Sequence, residues 1–150
     1  MFQMAIKQYR EKALFGLIDG LNGATGLIVG LLMVQASVRT ILVALLAVGG
    51  ASTVSMAGAE YLSDEPNDKV LLKKVVAMGL GFLAGTLLPG LGFIFSVGCG
   101  ALLLVPMAAL LLLIVIRFRA DKAGWTKASV ATIVIFGLAV GAGLLANLVK

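Results

Sequence analysis

The stretch Ala13–Gln35, ALFGLIDGLNGATGLIVGLLMVQ, is apolar over nearly its whole length and carries a single charge, Asp19. A run of about 20 such residues is long enough, as a helix, to cross the roughly 30 Å hydrocarbon core of a bilayer. An ionised side chain near the centre of such a helix costs about 2.5–3.5 kcal/mol, and residues of this kind face a bundle interior or a water-filled path. The same stretch holds five glycines. At about 100° per residue, Gly16, Gly20, Gly23, Gly26 and Gly30 fall within an arc of roughly 120°, with Asp19 inside it and Asn22 at its border. Small residues let helix backbones approach closely in lipid. Asp19 is therefore expected to point at another helix, or at a cavity between helices.

The rest of the chain has the same character. Of its 150 residues 61% are hydrophobic and 13% charged, and the mean hydropathy is +1.11, which places it in the membrane class. Five segments approach or reach spanning length: 13–35, 41–62, 71–89, 93–116 and 127–149. The expectation is an all-α integral membrane protein, a single five-span domain over residues 1–150. The first apolar run is longer than the h-region of a signal peptide and is not followed by an A-x-A-like cleavage site.

Charge sets the orientation. Lys7, Arg10 and Lys12 precede the first span, Lys69, Lys73 and Lys74 lie between the second and third, and Arg117, Arg119, Lys122 and Lys127 lie between the fourth and fifth. Only Arg39 and Lys150 fall on the other side. The positive-inside rule puts the N-terminus in the cytoplasm and the C-terminus outside. The net charge of +5 is accounted for by this asymmetry; a nucleic-acid partner would need a clustered basic face on a soluble module. The N-terminal FQMAIKQYREK reads as a short interfacial helix leading into the first span. Ala36-Ser37-Val38-Arg39-Thr40 reads as a tight external turn. Leu88-Pro89-Gly90-Leu91-Gly92 punctuates the uncharged run 75–116 and should separate spans three and four. Pro106 should kink span four, and Trp125 reads as an interfacial anchor.

The second span ends in Ser55-Met56-Ala57-Gly58-Ala59-Glu60. Gly49, Ser52, Ser55, Met56, Ala59 and Ser63 form a small, polar stripe along it, with Glu60 at its edge. The chain has no histidine and one cysteine, Cys99, an apolar-flanked packing residue; this excludes disulfide scaffolds and cysteine- or histidine-built zinc sites. Carboxylates, hydroxyls, an amide and a thioether remain. Carboxylate and hydroxyl oxygens suit hard ions, and a Met sulfur adds affinity for softer ones, so the set Asp19, Asn22, Ser55, Met56 and Glu60 leans to Fe²⁺ and Mn²⁺ over Mg²⁺ or Ca²⁺. A carboxyl that takes up and releases a proton is also what a proton-coupled carrier requires. No nucleophile–base pair or phosphate-cradling loop argues for an enzyme, and no permanently bound cofactor is expected.

Two motifs resemble the vacuolar iron transporter family, with its plant, yeast vacuolar and bacterial members. They are Gly16-Leu17-Ile18-Asp19-Gly20-Leu21 with Gly30 downstream, and Ser55-Met56-Ala57-Gly58-Ala59-Glu60-Tyr61-Leu62-Ser63. Gly85-Thr86-Leu87-Leu88-Pro89 adds weaker support, and the five-span pattern agrees. The resemblance implies a homodimer whose first two helices line a path near the subunit interface. It also implies export of Fe²⁺, often with Mn²⁺, from the cytoplasm in exchange for protons. Asp19 then matches the intramembrane aspartate, Met56 the methionine of the path, and Glu60 the glutamate near its cytoplasmic mouth.

One departure stands out. Plant and fungal members carry a carboxylate- and Met-rich helical extension between spans two and three, where this chain has a short connection with Asp64, Glu65 and Asp68 as possible ligands for incoming metal. The expected activity is proton-coupled divalent metal export, in a prokaryotic plasma membrane or, in a eukaryote, a vacuolar or other organelle membrane. The alternatives are a non-transporting membrane assembly subunit and a passive cation channel.

Overall fold

The computed structural model describes residues 2–63, 71–95 and 125–145. Four helices account for nearly all of them: α1 Phe2–Met33, α2 Val38–Ser63, α3 Leu71–Phe95 and α4 Trp125–Leu145. Among the described residues, three stretches are long and apolar enough to cross a membrane: Gln8–Met33, Val38–Ser63 and Leu71–Phe93. The chain is thus all-helical and has the character of an integral membrane protein. Span four, beyond residue 95, lies outside the described residues together with Cys99 and Pro106.

Two boundaries differ from expectation. The N-terminal segment is not a separate interfacial helix but the first turns of α1. Residues 2–15 contain neither Gly nor Pro and are rich in strong helix formers, so nothing interrupts propagation into the span. The break expected at residues 88–92 is also absent, because α3 runs through Pro89 to Phe95. Pro89 removes one backbone hydrogen bond and crowds the carbonyl four residues earlier, that of Gly85. It is fully buried, and neighbouring helices make such a proline tolerable within a membrane bundle.

The link between α1 and α2 is a Schellman turn. Ala36 N–H donates to Leu31 O at 2.9 Å and Gln35 N–H to Leu32 O at 3.0 Å, with Gln35 at a φ of 56°. That left-handed position is usually glycine. Ser37 caps α2, its Oγ accepting from Thr40 N–H at 3.1 Å. The turn closes an antiparallel hairpin.

α3 organises the bundle, packing most extensively on α1 and next on α2, whereas α1 and α2 touch directly over a small area. α1 and α3 run parallel through a glycine crossing. A Cβ at Gly16 would collide with Met78 O, and one at Gly20 with Phe82 O. Reciprocally, a Cβ at Gly81 would collide with Ala13 O and one at Gly85 with Leu17 O. α2 packs antiparallel on α3: Gly79 faces Thr53 and Ala57, Gly49 faces Thr86, and Gly90 faces Leu42 and Leu45. At the turn end of the hairpin, Ala24, Ile28, Ile41, Leu45 and Phe93 form the buried apolar cluster. α4 joins at the same end, where a Cβ at Gly143 would come within 3.1 Å of the Gly30 nitrogen.

Hydroxyl groups inside the bundle satisfy themselves locally. Thr25 donates to Leu21 O at 2.8 Å, Thr53 to Gly49 O at 2.7 Å and Thr86 to Phe82 O at 3.0 Å. Each bonds back to the carbonyl four residues earlier, the usual solution for a hydroxyl in an apolar helix.

Candidate functional site

The glycine arc of α1 is divided between two neighbours. Gly16 and Gly20 lie against α3, and Gly26 and Gly30 lie against α4 at Gly143. Gly23, between the two pairs, has no neighbour that an added Cβ would meet. Asp19 belongs to this open sector. It is exposed, one turn from Phe15, which is 58% exposed, and one turn from Gly23. Within one chain it therefore stands beside the crossing with α3 and not in it. The physical reason is angular. The crossing with α3 uses only the Gly16/Gly20 edge of the arc, and Asp19 sits on the other edge. Among the described residues Asp19 has no ion-pair partner.

Asn22, one turn further along α1, is buried with 8% of its surface exposed. Its amide has no hydrogen-bond partner among the described residues. On α2, Met56 is half-buried and Ser55 is exposed. The hairpin relates their depths to α1. Met56 stands 20 residues after Ala36 and Gly16 stands 20 before it, so Met56 lies about one helical turn from the level of Asp19. Ser55 is correspondingly level with Leu17. The candidate donors thus occupy one depth band but different faces. Among the described residues, no group of three or more His, Cys, Asp or Glu side chains stands close enough to hold a metal ion. Asp64, Glu65 and Asp68 lie outside the described residues.

Glu60 is placed more centrally than its sequence suggested. The buried line of α2 is Ile41, Leu45, Gly49 and Glu60, so Glu60 continues the packed face, while Ser55 and Ala59 fall outside it. Its carboxylate is 4% exposed and is gripped by the Lys12 ammonium, at 2.7 Å from Oε1 and 2.8 Å from Oε2. Lys12 was not among the expected site residues. A signal for it was present: Lys12 stands 24 residues before Ala36 and Glu60 stands 24 after it. An antiparallel hairpin turning at Ala36 brings these two charges to the same depth.

Near the other end, α1 and α4 enclose an open apolar cavity of about 430 Å³, lined by Gly26, Leu27, Gly30, Leu31, Ala142 and Gly143, with Val34 at its edge. It carries no group able to hold a cation.

Searches against protein-family models, curated proteins and solved structures return no match to this chain.

Proposed function

We propose that this chain is a proton-coupled exporter of divalent metal, with Fe²⁺ and Mn²⁺ as its cargo, working as a homodimer of the vacuolar iron transporter type. The observation that carries this reading is Asp19, an exposed carboxylate with no ion-pair partner among the described residues, on a helix long and apolar enough to cross a membrane. Facing acyl chains, the charged form would cost about 2.5–3.5 kcal/mol. A second copy of the chain relieves that cost when two α1 helices meet about a two-fold axis, the commonest symmetry of oligomers. The unoccupied surface at Gly23 lets such helices approach closely. Two Asp19 carboxylates then supply the hard oxygen ligands that suit Mn²⁺ and Fe²⁺, with Asn22 and the Met56 thioether in the same depth band.

In this reading the chain has five spans, a cytoplasmic N-terminus, and a metal mouth at the Glu60 end of the hairpin. Asp64, Glu65 and Asp68 follow Glu60 directly and serve that mouth in place of a longer extension. Metal sheds water, binds between the Asp19 side chains and is released on the opposite side as protons neutralise the carboxylates. The positive-inside charge pattern supports the orientation. A prokaryotic plasma membrane is the compartment that the short, disulfide-free chain fits best.

The test is flux. Protein reconstituted in liposomes, followed for Mn²⁺ uptake and internal pH, should move metal and protons in opposite directions, and Asp19→Asn should abolish both. Metal flux without proton movement would replace the exporter with a passive channel. No flux from folded, dimeric protein would favour a non-transporting assembly subunit.

A further inference from the structure

The Lys12–Glu60 pair differs from a structural salt bridge in how little else holds it. A buried carboxylate that serves only stability has its remaining lone pairs satisfied by further donors. Glu60 has none of these among the described residues. Its Oε1 is fully buried without a hydrogen bond of good geometry, although the Lys12 ammonium lies 2.7 Å away. The nearby Ser63 hydroxyl donates to the Glu60 backbone carbonyl at 3.1 Å and not to the carboxylate. Among the described residues both carboxylate oxygens thus depend on one ammonium, carried on a flexible four-carbon stem whose side chain is 35% exposed. A lysine is a compact point charge that can leave and return, where an arginine fork would lock the pair.

The geometry points to Lys12 as a tethered stand-in cation, occupying at Glu60 a site that a divalent metal ion takes by displacing it. Both carboxylate oxygens within 2.8 Å of a single positive centre is the arrangement by which a carboxylate holds a hard cation bidentately, with water completing the shell. A doubly charged ion competes with the singly charged ammonium, which swings outward along its half-buried stem. Monovalent ions carry no such advantage in charge, so the lysine also sets a threshold for which cations reach the carboxylate. This inference rests on the reading that Glu60 receives cations at the metal mouth. It adds Lys12 as the residue that guards the site.

The experiment is equilibrium Mn²⁺ binding to purified protein in detergent, without any gradient, read by the loss of free Mn²⁺ electron paramagnetic resonance signal at mildly alkaline pH. Lys12→Gln should bind Mn²⁺ at least about tenfold more tightly than wild type, because an opposing charge has left contact with the carboxylate. The double variant Lys12→Gln with Glu60→Gln should lose that gain. Equal affinity in wild type and Lys12→Gln, or a gain that survives in the double variant, would overturn the inference. A second measurement needs no variant. Acylation of the Lys12 amine in wild type, read by mass spectrometry against the exposed Lys73, should rise several-fold on adding Mn²⁺. Unchanged labelling of Lys12 would overturn the inference even if Lys12→Gln does not fold. Binding that behaves as expected while Asp19→Asn leaves flux intact would sink the transport scheme alone.

Discussion

Gly16 of α1 and Gly81 of α3 hold reciprocal places at a parallel helix crossing: a Cβ on Gly16 would strike Met78 O, and one on Gly81 would strike Ala13 O. Gly20 and Gly85 repeat the relation one turn on, against Phe82 O and Leu17 O. Because lipid tails are as apolar as leucine, close backbone packing does here what hydrophobic burial does in water. The obstructing atoms are backbone and cannot rotate away. Gly81→Ala and Gly85→Ala should each cost about 1–3 kcal/mol or more by overpacking. Gly58→Ala, where nothing lies in the path of a new Cβ, should be neutral or slightly stabilising. Unfolding titrations in mixed micelles compare the three; equal costs would mean that the crossing is looser than described.

The contact between α2 and α3 is of a different kind, because at Gly49 the obstacle is a side chain. A Cβ there would lie 2.7 Å from Thr86 Cγ2. Gly49→Ala alone should destabilise by about 1–2 kcal/mol through overpacking. In a Thr86→Ser background, which deletes the methyl group and keeps the hydroxyl that bonds Phe82 O, most of that cost should vanish. A double-mutant cycle with an interaction energy near zero would contradict the contact.

The α1–α2 turn offers a stabilising change. Gln35 sits at a φ of 56°, a conformation that costs an L-residue with a side chain about 1–2 kcal/mol. Gln35→Gly should raise stability by about 0.5–1 kcal/mol, the gain in strain being reduced by the extra freedom of glycine when unfolded. Ser37→Ala should lower it by about 1 kcal/mol, since Thr40 N–H loses its cap. The two effects are opposite in sign within one four-residue turn, so thermal denaturation of the pair is an internal control.

Gly23 separates packing within a chain from packing between chains. Among the described residues no atom lies within contact of a Cβ at this position. Gly23→Leu should therefore leave the unfolding free energy of the monomer within about 1 kcal/mol of wild type. If α1 meets its copy through this face, the same change should shift the protein from dimer to monomer in sedimentation equilibrium. A Gly23→Leu dimer as tight as wild type would place the interface elsewhere.

Much of this was legible in the sequence. Apolar runs long enough to span, the lone Asp19 within one of them, and a turn beginning near Ala36 are local properties, although Val38–Thr40, expected in that turn, already belong to α2. In lipid a backbone must satisfy its own hydrogen bonds, so a long apolar run has little choice but helix. Pro89 was misleading for a tertiary reason: the same residue that ends a helix in water is tolerated within a bundle whose neighbours enclose it.

The chain by itself determined that there would be spanning helices, where the first two would turn, and which few groups could do chemistry. Only the tertiary structure decided how the glycines were shared. It put Gly16 and Gly20 against α3, Gly26 and Gly30 against α4, and left Gly23 and Asp19 exposed among the described residues. It also turned Glu60 into the packed face to meet Lys12. The reason is that a helix apolar all round carries no polar stripe to announce which side is buried. Rotation and register are then chosen by where two backbones can approach, which depends on both partners at once.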